Sequence, residues 1–211
     1  MEAAVMTLSS DHMGFIEWAV ASQTHPHEVV CGDAYVVTQT SNGVLLCVID
    51  GLGHGPEAAE ASRTAIAAIS NYSDATAEEI VSHCHDVLKT TRGAVLSLAK
   101  LDSLNNRLTW LGIGNVEGIL LHPVAQHEWL TLRAGIVGSR MPSLRTLEVA
   151  VSPGDLLIMF SDGIASHLVD RIYIDREPAE LAERIISTQA KNTDDAIVLV
   201  ARYHGNAEPT G

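Results

Sequence analysis

Residues 50 to 62 read DGLGHGPEAAEAS. Just before them, Val44 to Ile49 (VLLCVI) is an unbroken apolar run, which predicts a buried strand ending at Asp50. Residues 51 to 56, GLGHGP, alternate three glycines with other residues ahead of a proline and predict a loop. Glu57 to Ser70 is rich in alanine and predicts a helix, with Pro56 suited to its first turn. A carboxylate at the end of a buried strand is held rigidly. The glycine after it lets the backbone turn and lets another group approach closely.

Outward from this stretch, residues 14 to 21 and 34 to 40 carry β-branched and aromatic residues and predict strands. Thr76 to Glu79 has the Thr-x-x-Glu spacing of a capping box, opening a helix expected to reach Thr90. Beyond Gly93 the character changes. AVLSLAKLD, RLTWLGIG, EGILLHP and HEWLTLR predict short strands of an antiparallel meander. TLEVAVSPGDLLIMFSDG predicts two more strands around a Pro-Gly-Asp turn. Glu177 to Gln189 predicts a helix and Ala196 to Tyr203 a last buried strand. Early helices, a strand-rich middle and a closing helix and strand argue for an α+β fold with packed antiparallel sheets, not a doubly wound parallel sheet. No repeat or linker interrupts the chain, so residues 1–205 are expected to form one domain, with 206–211 a flexible tail.

The composition excludes several classes. Of 211 residues 46% are hydrophobic but only 4% aromatic, so Ala, Val, Ile and Leu must fill the core. The net charge is −13, and no Lys or Arg precedes Arg63, whereas Glu2, Asp11, Glu17, Glu28, Asp33, Asp50, Glu57 and Glu60 all do. Nucleic acid and anionic membrane surfaces need clustered cations, so neither is an expected partner. A segment so acidic is either solvated or meets metal ions. Cys31, Cys47 and Cys84 are odd in number and lack a C-x-x-C, which argues against a disulfide framework or structural zinc, and Cys47 reads as core. The N-terminal MEAAVMTLSSDHMGF has no basic start and no long apolar stretch, so no signal peptide is expected. No run reaches the roughly 20 apolar residues of a membrane span. A reducing, cytoplasmic setting follows as the expectation.

Four acidic motifs stand at strand ends or turns: Gly32-Asp33, Asp50-Gly51, Asp162-Gly163 and Asp194-Asp195. Asp50 and Asp162 share one grammar, each following an apolar run (VLLCVI, LLIMF) and preceding glycine. Alone, an Asp-Gly is usually a turn, Asp162 could cap a helix, and Asp194-Asp195 could be a solvated turn. Carboxylates gathered from distant parts of a chain repel one another unless a cation sits between them, and hard divalent cations take several oxygen ligands.

The segment DGLGHGPEAAEAS closely resembles the signature of the metal-dependent protein phosphatase (PPM) superfamily, in its bacterial sporulation- and stress-regulator branch. Gly32-Asp33, the PGDLLIMFSDG segment and DDAIVLV follow in that family's order, and the resemblance spans roughly residues 14 to 203. It implies a four-layer αββα sandwich of two central antiparallel sheets flanked by helices. It also implies a serine/threonine phosphatase with two ions, Mn²⁺ or Mg²⁺. By that resemblance Asp33 binds one ion, Asp50 bridges both and Gly51 binds through its carbonyl. Asp162 and Asp194 complete the other shell. Asp195 and Gly163 are candidates for support behind the ligands. The segment AGIVGSRMP (134 to 142) and the short chain look most like the stress-signalling members. The implied substrates are then phosphorylated STAS-domain proteins of the stressosome, and a monomer is expected. A sporulation-type phosphatase acting on a phosphorylated anti-anti-sigma factor and a non-catalytic phosphoprotein-binding module of the same fold are the alternatives.

The sequence departs from the family pattern at informative places. Many eukaryotic relatives carry a general-acid histidine directly after the Asp-Gly. Here that position is Leu52, and His54 is either an acid or a structural part of its turn. Those relatives also grip phosphate with an N-terminal arginine, so here that task is expected to fall to ions, backbone amides and water. Asn115 stands where some relatives have Asp, so a third ion is not expected. His83 and His85 are two apart on a predicted helix and point about 200° away from each other, so they should not share an ion. His25 and His27 are expected in a loop before Asp33, with the site mouth as the other possibility. No G-x-S-x-G, P-loop or C-x5-R occurs, so a covalent phosphoenzyme is not expected.

Overall fold

The computed structural model describes residues 6–124, 126–165 and 175–205. In chain order the elements are β1 (Met6–Met13), β2 (Ile16–Gln23), β3 (Asp33–Thr40), β4 (Gly43–Gly51), α1 (Pro56–Asn71), α2 (Ala77–Leu88), β5 (Ala94–Asp102), β6 (Arg107–Ile113), β7 (Glu117–Leu121), β8 (Glu128–Trp129), β9 (Leu132–Arg133), β10 (Leu147–Ala150), β11 (Leu156–Phe160), α3 (Pro178–Gln189) and β12 (Ala196–Tyr203). One sheet has the order β1-β2-β12-β11-β7-β8. The other has β10-β6-β5-β4-β3, with β9 added in parallel beside β6. Every other pairing is antiparallel.

The layers follow from the two-residue period of a strand. In β4, Val44, Leu46 and Val48 pack between the sheets, whereas Leu45, Cys47 and Ile49 pack under α1 and α2. In β12, Ile197, Leu199, Ala201 and Tyr203 point between the sheets, and Ala196, Val198 and Val200 point to α3. Both faces of these strands are covered, so the runs read as continuous rather than alternating. The result is four layers: α1 and α2, one sheet, the other sheet, then α3. A one-residue slip of β4 would exchange its two faces at once, so packing fixes its register. Register in turn fixes which side chains reach the strand ends.

Local signals hold the helices. Thr76 accepts from the Glu79 N–H and the Glu79 carboxylate accepts from the Thr76 N–H, completing the capping box. Helix α1 presses on the end of β4: a Cβ on Gly51 would lie 2.2 Å from the Ala58 carbonyl oxygen. Only a residue without a side chain allows that contact.

One expectation is corrected and one strand is added. HEWLTLR is not one strand: Glu128–Trp129 pairs with β7 and Leu132–Arg133 with β6, so the run crosses from one sheet to the other. Residues 6–13, to which no element is assigned from the sequence, form β1 on the edge beyond β2. All but Met13 of β1 are exposed, so burial gave no pattern to read. The expected tail, 206–211, lies outside the described residues. Among the described residues no helix is long and apolar enough to cross a membrane.

Candidate metal centre

Each sheet brings a pair of acidic positions to the same end of the sandwich. In one, Asp33 opens β3 directly opposite Asp50 near the end of β4. In the other, Asp162 follows β11, and Asp194 and Asp195 precede β12, its antiparallel partner. The close approach of these two segments depends on Gly163, where a Cβ would lie 1.9 Å from the Asp195 carbonyl oxygen.

Hydrogen bonds stitch the pairs together across the gap between sheets. Ser161 Oγ donates to Asp33 Oδ2 at 2.6 Å and accepts from the Ile197 N–H at 3.1 Å. Asn115 Nδ2 donates to Asp162 Oδ2 at 2.7 Å. Asp195 is buried and spends both oxygens on backbone: Oδ1 accepts from the His25 N–H at 2.8 Å and Oδ2 from the Gly32 N–H at 2.9 Å. It therefore ties residues 25–32 to β12. Asp194 has no such duty toward the loop; its Oδ1 accepts from the Asp195 N–H at 2.9 Å.

The electrostatics register the crowding. Burial pushes the Asp50 carboxyl up to about 7, with Asp162, Asp194 and Asp195 adding to the shift. Burial and Asp50 drive Asp33 well above the carboxylate range, against the lowering effect of its Ser161 hydrogen bond. Asp194 is raised by burial, with Asp162 and Asp195 contributing. These groups feel one another's charge.

Such a set fits hard divalent ions. Its donors are all oxygen, and at Asp33, Asp50 and Asp194 protonation is favoured by burial and then by neighbouring charge, both of which a dication offsets. Ser161 and Asn115 each occupy one oxygen of a carboxylate and orient the other. Among the described residues, no three carboxylate, imidazole or thiol groups yet form a cage around one point. His83 and His85 form no such cage either: His83 stacks near Tyr72 at 4.1 Å and His85 Nδ1 accepts from the Gly138 N–H at 3.0 Å.

Several residues near the site were not singled out for it from sequence. Arg92 forms an ion pair with Glu57 and its guanidinium lies 2.9 Å from where a Gly53 Cβ would sit, so a cation does stand over the GLGHG loop. Lys191 Nζ donates to the Asp162 carbonyl at 2.6 Å. His25 is in a loop, as expected, and is also at the mouth: its ring stacks on His54 at 4.7 Å with planes 8° apart. Glu28 Oε1 is 2.6 Å from His54 Nδ1. The only advance signal for Arg92 and Lys191 was the scarcity of cations, 13 in the whole chain. Cys31 is no nucleophile, because burial and then Asp33 and Asp195 push its thiol up.

Known proteins resemble this chain in sequence and in fold. The model of the stage II sporulation protein E (SpoIIE) family matches residues 40–204. The chain is 28% identical over 144 residues to phosphoserine phosphatase RsbX of Bacillus subtilis (strain 168), 66% of this chain and 72% of that protein. A solved structure from work on the bacterial stressosome, as a modular system adapted to control secondary messenger signaling, is 30% identical. It superposes with a TM-score of 0.81, covering 89% of this chain and 99% of its own. RsbX in complex with magnesium superposes with a TM-score of 0.85 at 21% identity, covering 93% of this chain and 100% of its own, a likeness of fold.

Proposed function

Because the chain belongs to the stage II sporulation protein E (SpoIIE) family, we propose that it is a metal-dependent protein-serine/threonine phosphatase acting in bacterial stress signalling. Its substrates are phosphorylated STAS-domain proteins of a stressosome, and it works in the cytoplasm as a monomer. The observation that carries this reading is the seam of aspartates where the strands end, Asp33 and Asp50 from one sheet and Asp162 and Asp194 from the other, in which burial and then neighbouring charge push Asp33, Asp50 and Asp194 up. The likeness to phosphoserine phosphatase RsbX and to the stressosome structure supports this choice of substrate.

The ions are two of Mn²⁺ or Mg²⁺. Asp33, Asp50, the Gly51 carbonyl, Asp162 and Asp194 would hold them. Bound there, they supply charge neutralisation for the phosphoryl oxygens and acidify a water for in-line attack. The remaining work is positional. Ser161 fixes the Asp33 carboxylate and Asn115 that of Asp162. Asp195 fixes the mouth loop. Ser161 Oγ is buried and engaged with Asp33 and the Ile197 N–H, and burial pushes the Cys31 thiol up, so neither suits a nucleophile; in this reading the nucleophile is water.

The decisive assay follows phosphate release from a phosphorylated STAS-domain protein, with p-nitrophenyl phosphate in parallel, after EDTA treatment and after Mn²⁺ is restored. Release should vanish with EDTA and return with Mn²⁺. Undiminished turnover in EDTA, or hydrolysis of the small ester but never of the phosphoprotein, would defeat the reading.

A further inference from the structure

We propose that residues 132–146 form a docking strap for the phosphoprotein substrate, in which Arg133, Arg140 and Arg145 hold acidic side chains that flank its phosphorylated serine or threonine. The proposal rests on the phosphatase reading above and adds to it the face from which the substrate is held.

Charge sets this segment apart. The chain carries 26 acids against 13 cations, yet no acid occurs between Glu128 and Glu148, where all three of these arginines lie. Cations elsewhere are engaged. Lys89, Arg92, Arg107 and Arg176 stand in ion pairs, and Lys100 and Lys191 donate to backbone carbonyls. Among the described residues, only Arg63 and the three strap arginines have neither a side-chain hydrogen bond nor an ion pair. Arg140 and Arg145 are exposed and Arg133 is half-buried.

The backbone lays the strap beside the acidic seam. Arg133 ends β9, which runs parallel to β6, and its carbonyl accepts from the Gly114 N–H at 2.9 Å. The residue after Gly114 is Asn115, which holds Asp162. The chain then crosses to Val137, which exchanges two backbone hydrogen bonds with Ala94, at 2.8 and 3.0 Å. Ala94 is the cross-strand partner of Gly51. The strap thus spans the strand ends from the Asn115 side to the Gly51 side. Beyond that it descends along α2. Gly138 takes φ 94° and its N–H donates to His85 Nδ1, Met141 and Leu144 pack onto the cluster under α1 and α2, and Thr146 Oγ1 donates to Glu78 Oε1 at 3.0 Å. Backbone and apolar groups do all of this anchoring, which leaves the guanidinium groups to a partner. A surface fixed in advance loses little freedom on binding.

Charge also selects the occupant. Ions in the seam would take the phosphate but do nothing for carboxylates next to it, which the seam's own aspartates repel. A guanidinium matches a carboxylate through two parallel hydrogen bonds, so an acidic stretch beside the phosphorylated residue would settle on the strap. Nucleic acid suits it poorly, because three cations on a chain of net charge −13 neutralise few phosphates.

The test uses the full chain with Mn²⁺ and a phosphorylated STAS-domain protein, with p-nitrophenyl phosphate in parallel. Reversing the strap, with Arg133→Glu, Arg140→Glu and Arg145→Glu together, should raise KM for the phosphoprotein on the order of tenfold and keep kcat within about twofold. The loss on p-nitrophenyl phosphate should be much smaller. Wild-type KM for the phosphoprotein should rise between about 50 and about 300 mM NaCl, and the reversal should flatten that rise. Should the reversed protein fail to fold, Arg133→Gln, Arg140→Gln and Arg145→Gln together should still raise KM, by less. Arg63→Glu, an unpaired cation on α1, should leave KM where it is. Several results would overturn the strap and leave the phosphatase reading standing: a KM that the strap variants do not move, a KM that Arg63→Glu moves as far, or equal losses on both substrates. Duplex DNA binding that the reversal abolishes, with KM unmoved, would assign the strap to nucleic acid instead. A wild-type protein inert on the phosphoprotein would defeat the phosphatase reading and this proposal with it.

Discussion

Asp33 and Asp50 face each other across neighbouring strands, the arrangement in which like charges destabilise a sheet. The folded state lifts Asp50 from its usual 3.8 to about 7, so between those values it keeps a proton that the unfolded chain has lost. Stability of the metal-free protein should therefore fall as pH rises through that window and level off above it. Thermal unfolding in EDTA should show a lower Tm at about pH 8 than at about pH 5, and Asp50→Asn should flatten the dependence while abolishing turnover. With Mn²⁺ the trend reverses, because the ion requires the deprotonated carboxylates. Ser161→Ala should cost about 1–3 kcal/mol, leaving Asp33 and the Ile197 N–H without their buried partner; denaturant unfolding measures it.

At the scale of elements, the turns between strands decide where the acids point. Gly163→Ala forces β-carbon against backbone of the segment that carries Asp194 and Asp195. Its Mn²⁺ affinity, read by calorimetry, should drop by about tenfold or more, in line with losses at groups that orient metal ligands. Thr76→Ala on α2 should cost about 1 kcal/mol of stability and leave turnover intact, since that cap is remote from the seam in sequence and in role. The same distinction explains what was legible beforehand. The run from Val44 through Asp50 into α1 is continuous in the chain, so its strand, loop and helix could all be read locally, as could the run ending at Asp162. Glu28 and His54 meet only because residues 25–32 fold back, with Asp195 as their tether. Arg92 arrives through the turn after α2. No local period encodes either meeting. HEWLTLR misled because its apolar spacing is that of a strand, whereas the pairing that decided the matter lies in two different sheets.

Over the whole molecule, the three buried clusters would stand without the seam, but the seam cannot form without both sheets. Ion binding should therefore couple the sheets at one end only. Hydrogen exchange in EDTA should quicken at the Gly32, Gly51 and Ser161 amides relative to the Mn²⁺-loaded protein, with little change at Leu101 and Tyr203, whose strand segments run at the other end. The order of the acids along the chain has one more consequence. During synthesis, Asp33 and Asp50 leave the ribosome more than a hundred residues ahead of Asp162, and Asp194 follows later still. β12, which takes its place between β2 and β11, emerges after it. On the proposed site, hydrolysis therefore waits until β12 slots between β2 and β11.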